Sequence, residues 1–250
     1  MVDPLAEKYY NVSPYVFTGN YGFNAREING GLFIFVNGFD PSKYGIHLIY
    51  HLPSPFNYLV GDLTYIPIQK FKMLDSYGWG DIDDLYKERN KGENSLYIDG
   101  SMGVCYPASV RYHRGIKSGM KLIQKLRSGE YELKEGETIK IVGYSMGAAY
   151  AAGMAYALTQ DPEYAHLLQF VDYLAPFQPT DFTHPEGVLG RQFASRDDFF
   201  NTDIEIKNVN VRKTESFGEL ENLYGHSLCE ELYDFLKKCF NNGIPIYHYE

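Results

Sequence analysis

Apolar positions along the chain follow two alternating patterns. Short runs rich in β-branched and aromatic residues, each followed closely by glycine, proline or a charged residue, predict buried β-strands. Six such runs lie at 31–39, 96–99, 137–142, 170–174, 192–195 and 204–211. Apolar residues recur at helical spacing over 108–126, 148–158 and 228–240. Strands that alternate with helices predict an α/β fold with a mostly parallel sheet and helices on both faces.

The stretch from 40 to 95 has no clear periodicity. Its apolar groups at 47–51 and 58–60 fit either short strands or a lid over a substrate cleft. Charged and amide residues at 87–94 predict a solvated loop or the end of a helix. The only tryptophan, Trp79, fits either core packing or a position beside the cleft. The pattern therefore does not decide between strand, helix and loop for this stretch.

Composition narrows the class of protein. The chain has 250 residues, 44% hydrophobic and 22% charged, which fits one large globular domain, alone or with a short appendage. A formal net charge of −9 argues against a nucleic-acid partner. No apolar run could span a membrane, and the N-terminus lacks the basic and apolar segments of a signal peptide. The three cysteines lack the spacing of metal ligands, so we expect reduced thiols and no metal site: Cys105, Cys229 and Cys239. We expect no cofactor either.

The segment 143–147, GYSMG, lies between a predicted strand and a predicted helix. A nucleophilic serine in such a turn takes an unfavourable backbone conformation, and glycines two positions to either side avoid clashes with the neighbouring strand and helix. The helix over 148–158 is rich in alanine and can pack closely on a sheet. Motif and context together predict that Ser145 is a catalytic nucleophile. A purely structural glycine-rich turn is the alternative.

An Asn-Gly turn at 37–38 ends the first predicted strand. Acyl transfer needs backbone N–H groups that bind the developing oxyanion. Because the turn lies upstream of the serine motif, we expect one N–H group from Phe39, with Asp40 as the alternative. Met146, the residue after the nucleophile, would supply the second N–H group. An ordinary turn without a catalytic role is the competing interpretation.

A catalytic serine needs a base, and the base needs an acid that orients it. Among seven histidines, His226 is the predicted base because it follows a glycine and directly precedes the final amphipathic helix. An acid at the end of the strand over 192–195 can be Asp198 or Asp197, and the resemblance given below favours Asp198, which precedes two phenylalanines. A loop carboxylate or a helix cap is the non-catalytic interpretation. Two further acids with weaker support are Asp181 and Asp203.

Five short motifs in this order resemble the lipase and esterase branch of the α/β-hydrolase superfamily: 37–39, 143–147, 175–176, 197–198 and 225–226. The resemblance covers residues 25–250 and implies an α/β-hydrolase fold with a triad of Ser145, Asp198 and His226. It implies a lipase-like or phospholipase-like serine carboxylester hydrolase that acts on a lipid or another ester, at a membrane surface. Tyr144 replaces a histidine that is frequent before the nucleophile of lipases, a change that the superfamily tolerates.

Residues 2–20, VDPLAEKYYNVSPYVFTGN, resemble the end of the Rhs repeat-associated core, which caps the shells that carry polymorphic toxins. The similarity ends at Asn20, where Tyr-Gly-Phe replaces the Asn-Pro segment of that family. The resemblance implies that 1–24 is a remnant of the carrier and 25–250 the toxin tip, or that the chain is a truncated orphan copy. An N-terminal arm that is merely rich in proline and tyrosine is the alternative. The resemblance also implies synthesis in the cytoplasm without a signal peptide, export as an effector, and a cognate immunity protein as partner.

Two other functions fit the same residues. A small-molecule esterase or thioesterase would use the same triad on short, soluble substrates. A non-catalytic module would use the hydrolase fold only to bind a partner. The presence of a serine, a histidine and an aspartate in the expected order argues against the module, because a pure binder does not need all three.

Overall fold

The computed structural model describes residues 31–38, 79–90, 94–101, 106–196, 198, 204–216 and 230–242. Six strands form one sheet in which all neighbouring strands are parallel, in the order β2-β1-β3-β4-β5-β6. The predicted α/β fold with a mostly parallel sheet is therefore confirmed. The strands are β1 (Gly31–Asn37), β2 (Asn94–Asp99), β3 (Thr138–Tyr144), β4 (Leu168–Leu174), β5 (Leu189–Ser195) and β6 (Val211–Glu215).

Helices lie on both faces of the sheet. The α-helices of the described residues are α1 (Asp81–Asn90), α2 (Ala108–Arg127), α3 (Gly147–Thr159) and α4 (Glu230–Asn241). Short 3₁₀ helices lie at Ala165–Leu167 and Pro179–Asp181. Helices α2 and α3 share one hydrophobic cluster with the sheet, and α1 and α4 share the other. Within the described ranges, no helix has the length and apolar character needed to cross a bilayer.

Strand β1 shows why the sheet needs both helical layers. Its side chains alternate between the two clusters: Ile34 and Val36 pack in the α2–α3 layer, whereas Phe33 and Phe35 pack in the α1–α4 layer. All four side chains are fully buried. A parallel strand covered on both faces has no solvent-facing positions, so its sequence is continuously apolar rather than alternating.

Helices α2 and α3 approach each other closely through glycine. A Cβ atom on Gly115 of α2 would lie 2.0 Å from the carbonyl oxygen of Tyr150, and one on Gly153 of α3 would lie 2.0 Å from that of Tyr112. Only glycine fits at both positions, since no side chain can occupy that space. The helix pair therefore forms a thin, tightly packed layer over the sheet.

A buried ion pair joins strands β4 and β5 in the opposite layer. Nε and Nη2 of Arg191 donate to the two carboxylate oxygens of Asp172 at 2.7 and 2.8 Å, and the Tyr86 hydroxyl donates to the same carboxylate at 2.7 Å. The Arg191 guanidinium also lies 4.2 Å from the ring centroid of Phe170. Burial raises the pKa of Asp172, and the attraction of Arg191 opposes that rise. The three polar groups satisfy one another and fix α1 on the sheet.

One predicted strand needs correction, and one helix was not predicted. The strand predicted over 204–211 is wrong: its residues are irregular, and the strand begins only at Val211. Asn208 takes a left-handed conformation with φ of 67°, which interrupts an extended chain. The backbone N–H of Ile206 instead donates to the Gln192 side chain at 2.9 Å. Residues 81–87 form most of α1, a helix that the pattern did not assign.

Other predictions about organisation fall on residues that the structure leaves undescribed. These include the possible strands at 47–51 and 58–60, and the segment 1–24 with its resemblance to the Rhs core. Trp79 is described and is fully buried in the α1–α4 layer.

His184 is a neutral histidine inside the α2–α3 side of the molecule. Its Nε2 lies 2.9 Å from the Val188 carbonyl oxygen and must donate to it, so its Nδ1 accepts from the Tyr173 hydroxyl at 2.8 Å. A Cβ atom on Gly190 would lie 2.6 Å from three atoms of the imidazole ring. Burial lowers the pKa of His184 to about 4.

This lowered pKa predicts acid sensitivity. The unfolded chain takes up a proton at His184 near pH 6.5, whereas the folded protein does so only near pH 4. The free energy of unfolding should therefore fall by about 3 kcal/mol as the pH falls from 6.5 to 4. Chemical denaturation at several pH values measures this change. The change should shrink in His184→Gln and persist in a control variant at the exposed His113.

Candidate active site

Ser145 lies in the turn that joins β3 to α3. Its φ is 52°, in the left-handed region that a serine adopts at an energetic cost. Its backbone N–H donates to the Leu174 carbonyl at 2.9 Å, and its carbonyl accepts from Ala148 and Phe177, both at 3.1 Å. These bonds link the turn to the end of β4 and to the loop after it. The surrounding structure thus holds Ser145 in a strained conformation.

The glycines of the motif have the steric role that the sequence predicts. A Cβ atom on Gly143 would lie 2.6 Å from the Cβ of Ala151 in α3. One on Gly147 would lie 2.3 Å from the Val36 carbonyl oxygen and 2.6 Å from that of Asn37. The first helical turn of α3 therefore packs directly on the end of β1, with no room for side chains between them.

The end of β1 lies beside the serine. A Cβ atom on Gly38 would lie 2.6 Å from the Cβ of Ser145 and 3.1 Å from its Oγ. The N–H of Gly100, which follows β2, donates to the Asn37 carbonyl at 3.1 Å. In the sheet, β2 lies on one side of β1 and β3 lies on the other, so the chain crosses over β1 between β2 and β3. Ligands of open α/β sheets bind at the carboxyl ends of the strands where the order reverses in this way.

Trp79 fixes the Asn-Gly turn at the end of β1. Its indole Nε1–H donates to Oδ1 of Asn37. The indole packs between the rings of Phe35 and Tyr144, at centroid distances of 5.0 and 6.4 Å. No local pattern predicts that this tryptophan and Asn37, 42 positions apart, would meet. The contact orients the residue directly before Gly38.

Asp198 lies just beyond the end of β5, at the same edge of the sheet as Ser145. Its side chain is 1% exposed, and its N–H donates to the Ser195 carbonyl at 3.4 Å. Asp181, by contrast, is exposed in the short 3₁₀ helix after β4. A buried carboxylate at a strand end can orient a histidine, whereas an exposed one serves this purpose poorly.

Met146 occupies the start of α3, directly after Ser145. The first N–H groups of an α-helix have no acceptor within the helix, so they are available to bind a negative charge. The structure therefore brings Ser145, Met146 and Asp198 to one edge. Three predicted members of the site lie outside the described residues: Phe39, Asp197 and His226. The weaker alternatives Asp40 and Asp203 lie outside them as well.

Arg111 is a buried residue near the site that sequence reasoning missed. Its Nη2 donates to Oε1 of Gln178 at 2.6 Å and its Nη1 to the Tyr106 carbonyl at 2.8 Å. The guanidinium carbon lies 5.5 Å from the ring centroid of Phe177, whose N–H bonds to Ser145. Burial lowers the pKa of Arg111 to about 10, so it stays charged at neutral pH. Arg111 is the fourth residue of α2, and its position in the helix does not predict a contact with a loop 67 residues away.

Neither comparison with known proteins identifies a relative: no protein-family model matches the chain, and no curated protein matches its sequence significantly. Function must therefore be argued from the site itself. Within the described residues, no group of three or more histidine, cysteine, aspartate or glutamate side chains could hold a metal ion. The chemistry available at this edge is that of a strained serine, helix N–H groups and a buried carboxylate.

The close contact at Gly38 predicts a sensitive position. Gly38→Ala should displace the Ser145 turn, because the new methyl group would overlap the serine Cβ. Displacement of a reacting group by about 1 Å lowers rates by about 10²-fold. We expect that loss in the rate at which a fluorophosphonate labels Ser145.

Gly129→Ala is the matched control. Gly129 has φ of 73° and no atom near its hypothetical Cβ, so the variant should lose about 1 kcal/mol of stability and keep its labelling rate. Equal labelling rates in Gly38→Ala and the parent protein would show that the end of β1 does not position the serine.

Proposed function

We propose that the chain is a serine carboxylester hydrolase with an α/β-hydrolase fold. The observation that supports this most strongly is the conformation of Ser145, held at φ of 52° in a strand–turn–helix at the point where the strand order reverses. A strained nucleophile in such a turn is the hallmark of α/β-hydrolases. Burial of Asp198 at the end of β5 adds support, since an orienting carboxylate must be shielded from water.

The proposed reaction proceeds in two halves. Oγ of Ser145 attacks the ester carbonyl carbon while His226 accepts the hydroxyl proton, and Asp198 stabilises the resulting imidazolium. The N–H groups of Met146 and Phe39 bind the oxyanion, each contributing about 2.7–4 kcal/mol. His226 then protonates the departing alcohol. Water, deprotonated by His226, then attacks the carbonyl carbon of the acyl-enzyme. The bond from that carbon to Oγ breaks, the carboxylic acid leaves, and His226 returns the proton to Oγ of Ser145.

A lipid ester is the proposed substrate class, with membrane lipid as the natural source. The resemblance of residues 2–20 to the Rhs core supports a further proposal, that the domain is the effector tip of a polymorphic toxin with a cognate immunity protein. A small-molecule esterase is the second candidate. Hydrolysis of short, water-soluble esters without hydrolysis of phospholipid in vesicles or micelles would favour that candidate.

Loss of the serine hydroxyl tests the proposed nucleophile. Ser145→Ala should abolish both fluorophosphonate labelling and ester hydrolysis, because the alanine methyl group cannot attack phosphorus or a carbonyl carbon. Ser109→Ala, at an exposed position on α2, is the control and should behave as the parent protein. Labelling that persists in Ser145→Ala would assign the nucleophile to another residue. Absence of labelling in the folded parent, with and without detergent micelles, would favour a non-catalytic module.

The identity of the acid can be tested by two neighbouring substitutions. Asp198→Asn should lower kcat by about 10⁴-fold, since the amide favours the wrong histidine tautomer. Asp197→Asn should have little effect if Asp198 is the acid. Hydrolysis rates of the two purified variants decide between them. Small, equal losses would place the acid in another segment.

A further inference from the structure

Helix α2 has a charge that contrasts with the rest of the chain. The full chain contains 32 acidic and 23 basic residues. The 20 residues of α2 include no aspartate or glutamate. Its lysines and arginines are Arg111, Arg114, Lys117, Lys121, Lys125 and Arg127. Such a helix concentrates positive charge on an otherwise acidic protein.

Three of these cations form an exposed stripe. Arg114, Lys117 and Lys121 are spaced by three and four positions, which places them on one side of the helix, and all three are exposed. None of the three has an ion-pair partner among the described residues. The cations at the end of α2 are different, since Lys125 pairs with Glu130 at 2.6 Å and Arg127 pairs with two acidic residues.

Exposed apolar side chains cluster on the same layer. In the described ranges, four large hydrophobic residues are exposed, and three of them lie on or beside α2. Met120, within the cationic stripe, is 54% exposed, and Tyr106, two residues before α2, is 50% exposed. Tyr156 on the neighbouring α3 is 40% exposed, with its ring centroid 6.2 Å from that of Tyr112. We call the surface formed by the three cations and Met120, with Tyr106 just before the helix, the α2 face.

We propose that the α2 face docks on an anionic lipid bilayer. Lysine and arginine attract acidic headgroups, and the attraction is strongest where no neighbouring carboxylate neutralises the cations. The Tyr106 ring and the Met120 side chain can enter the headgroup region, where apolar and polar atoms are both accommodated. Cations alone would fit any polyanion. The exposed apolar side chains among them favour a membrane.

The α2 face reaches the edge that carries Ser145. Tyr106 contributes its carbonyl to Arg111, and Arg111 contacts Gln178 in the loop after β4. That loop bonds to the Ser145 carbonyl through the N–H of Phe177. The beginning of the α2 face is therefore linked to the loop beside Ser145, at the end of the face that lies toward the candidate site. The use of docking to deliver substrate rests on the proposed hydrolase function, whereas docking itself does not.

Vesicle binding tests the proposal independently of catalysis. The full chain with Ser145→Ala is mixed with vesicles of phosphatidylcholine alone or with phosphatidylglycerol as one third of the lipid. Co-sedimentation measures the bound fraction. We expect binding to the anionic vesicles only, and weaker binding as salt is added, because salt screens charges at the surface.

Substitutions assign the binding to the α2 face. Arg114→Gln, Lys117→Gln and Lys121→Gln combined should lower the partition coefficient roughly a hundredfold, at about fivefold for each cation. Met120→Ser should also weaken binding. The matched control combines Lys207→Gln, Lys213→Gln and Lys237→Gln, three exposed cations elsewhere on the molecule, and should lose much less.

Each outcome decides the question. Equal losses in the two triple variants, with both still folded, would show only a general charge effect and overturn the proposal. Failure of the parent to bind anionic vesicles would overturn it as well, and binding to polyglutamate instead would assign the face to an acidic protein. Failure of the hydrolase proposal appears separately, as absent Ser145-dependent hydrolysis with vesicle binding retained.

Discussion

The contact between the end of β1 and the start of α3 is the constraint on which the candidate site depends. Gly38 touches Ser145, and Gly147 lies against the carbonyl groups of Val36 and Asn37. Because only glycine permits so short a distance, the end of β1 packs directly against the serine turn. The bonds from Ser145 to Leu174 and Phe177 complete the support. A left-handed serine can persist only where its surroundings over-determine its conformation.

The two layers of helices stabilise this edge in different ways. On the α1–α4 side, aromatic packing surrounds a satisfied polar cluster of Asp172, Arg191 and Tyr86. On the α2–α3 side, glycine and alanine bring the helices close, and Arg111 ties the loop after β4 to the beginning of α2. Removal of one partner from a buried charged cluster is costly, so both arrangements favour a single geometry of the strand ends.

Much of the fold could be predicted from sequence, because buried parallel strands and amphipathic helices leave strong periodic patterns. The steric role of Gly143 and Gly147 was also accessible, since it follows from the turn alone. Helix α1 was not predictable from apolar spacing, because its buried side chains include the polar Asp83 and Asn90. The false strand over 204–211 arose from apolar residues whose backbone is bent at Asn208. Contacts such as those of Trp79 with Asn37 depend on tertiary packing, which no local pattern encodes.

Helix α2 unites the site and the surface in one element. Its inner side must be small at Gly115 and Gly119 to fit against α3, and its first turns hold Arg111 against the loop beside the serine. The packing against α3 and the contact of Arg111 involve only the inner positions of α2. They therefore require no particular charge at its outer positions. The absence of any acidic residue over 20 positions is therefore not explained by packing. The outer positions of α2 can therefore carry the cations of the proposed docking surface without any cost to the packing of the site.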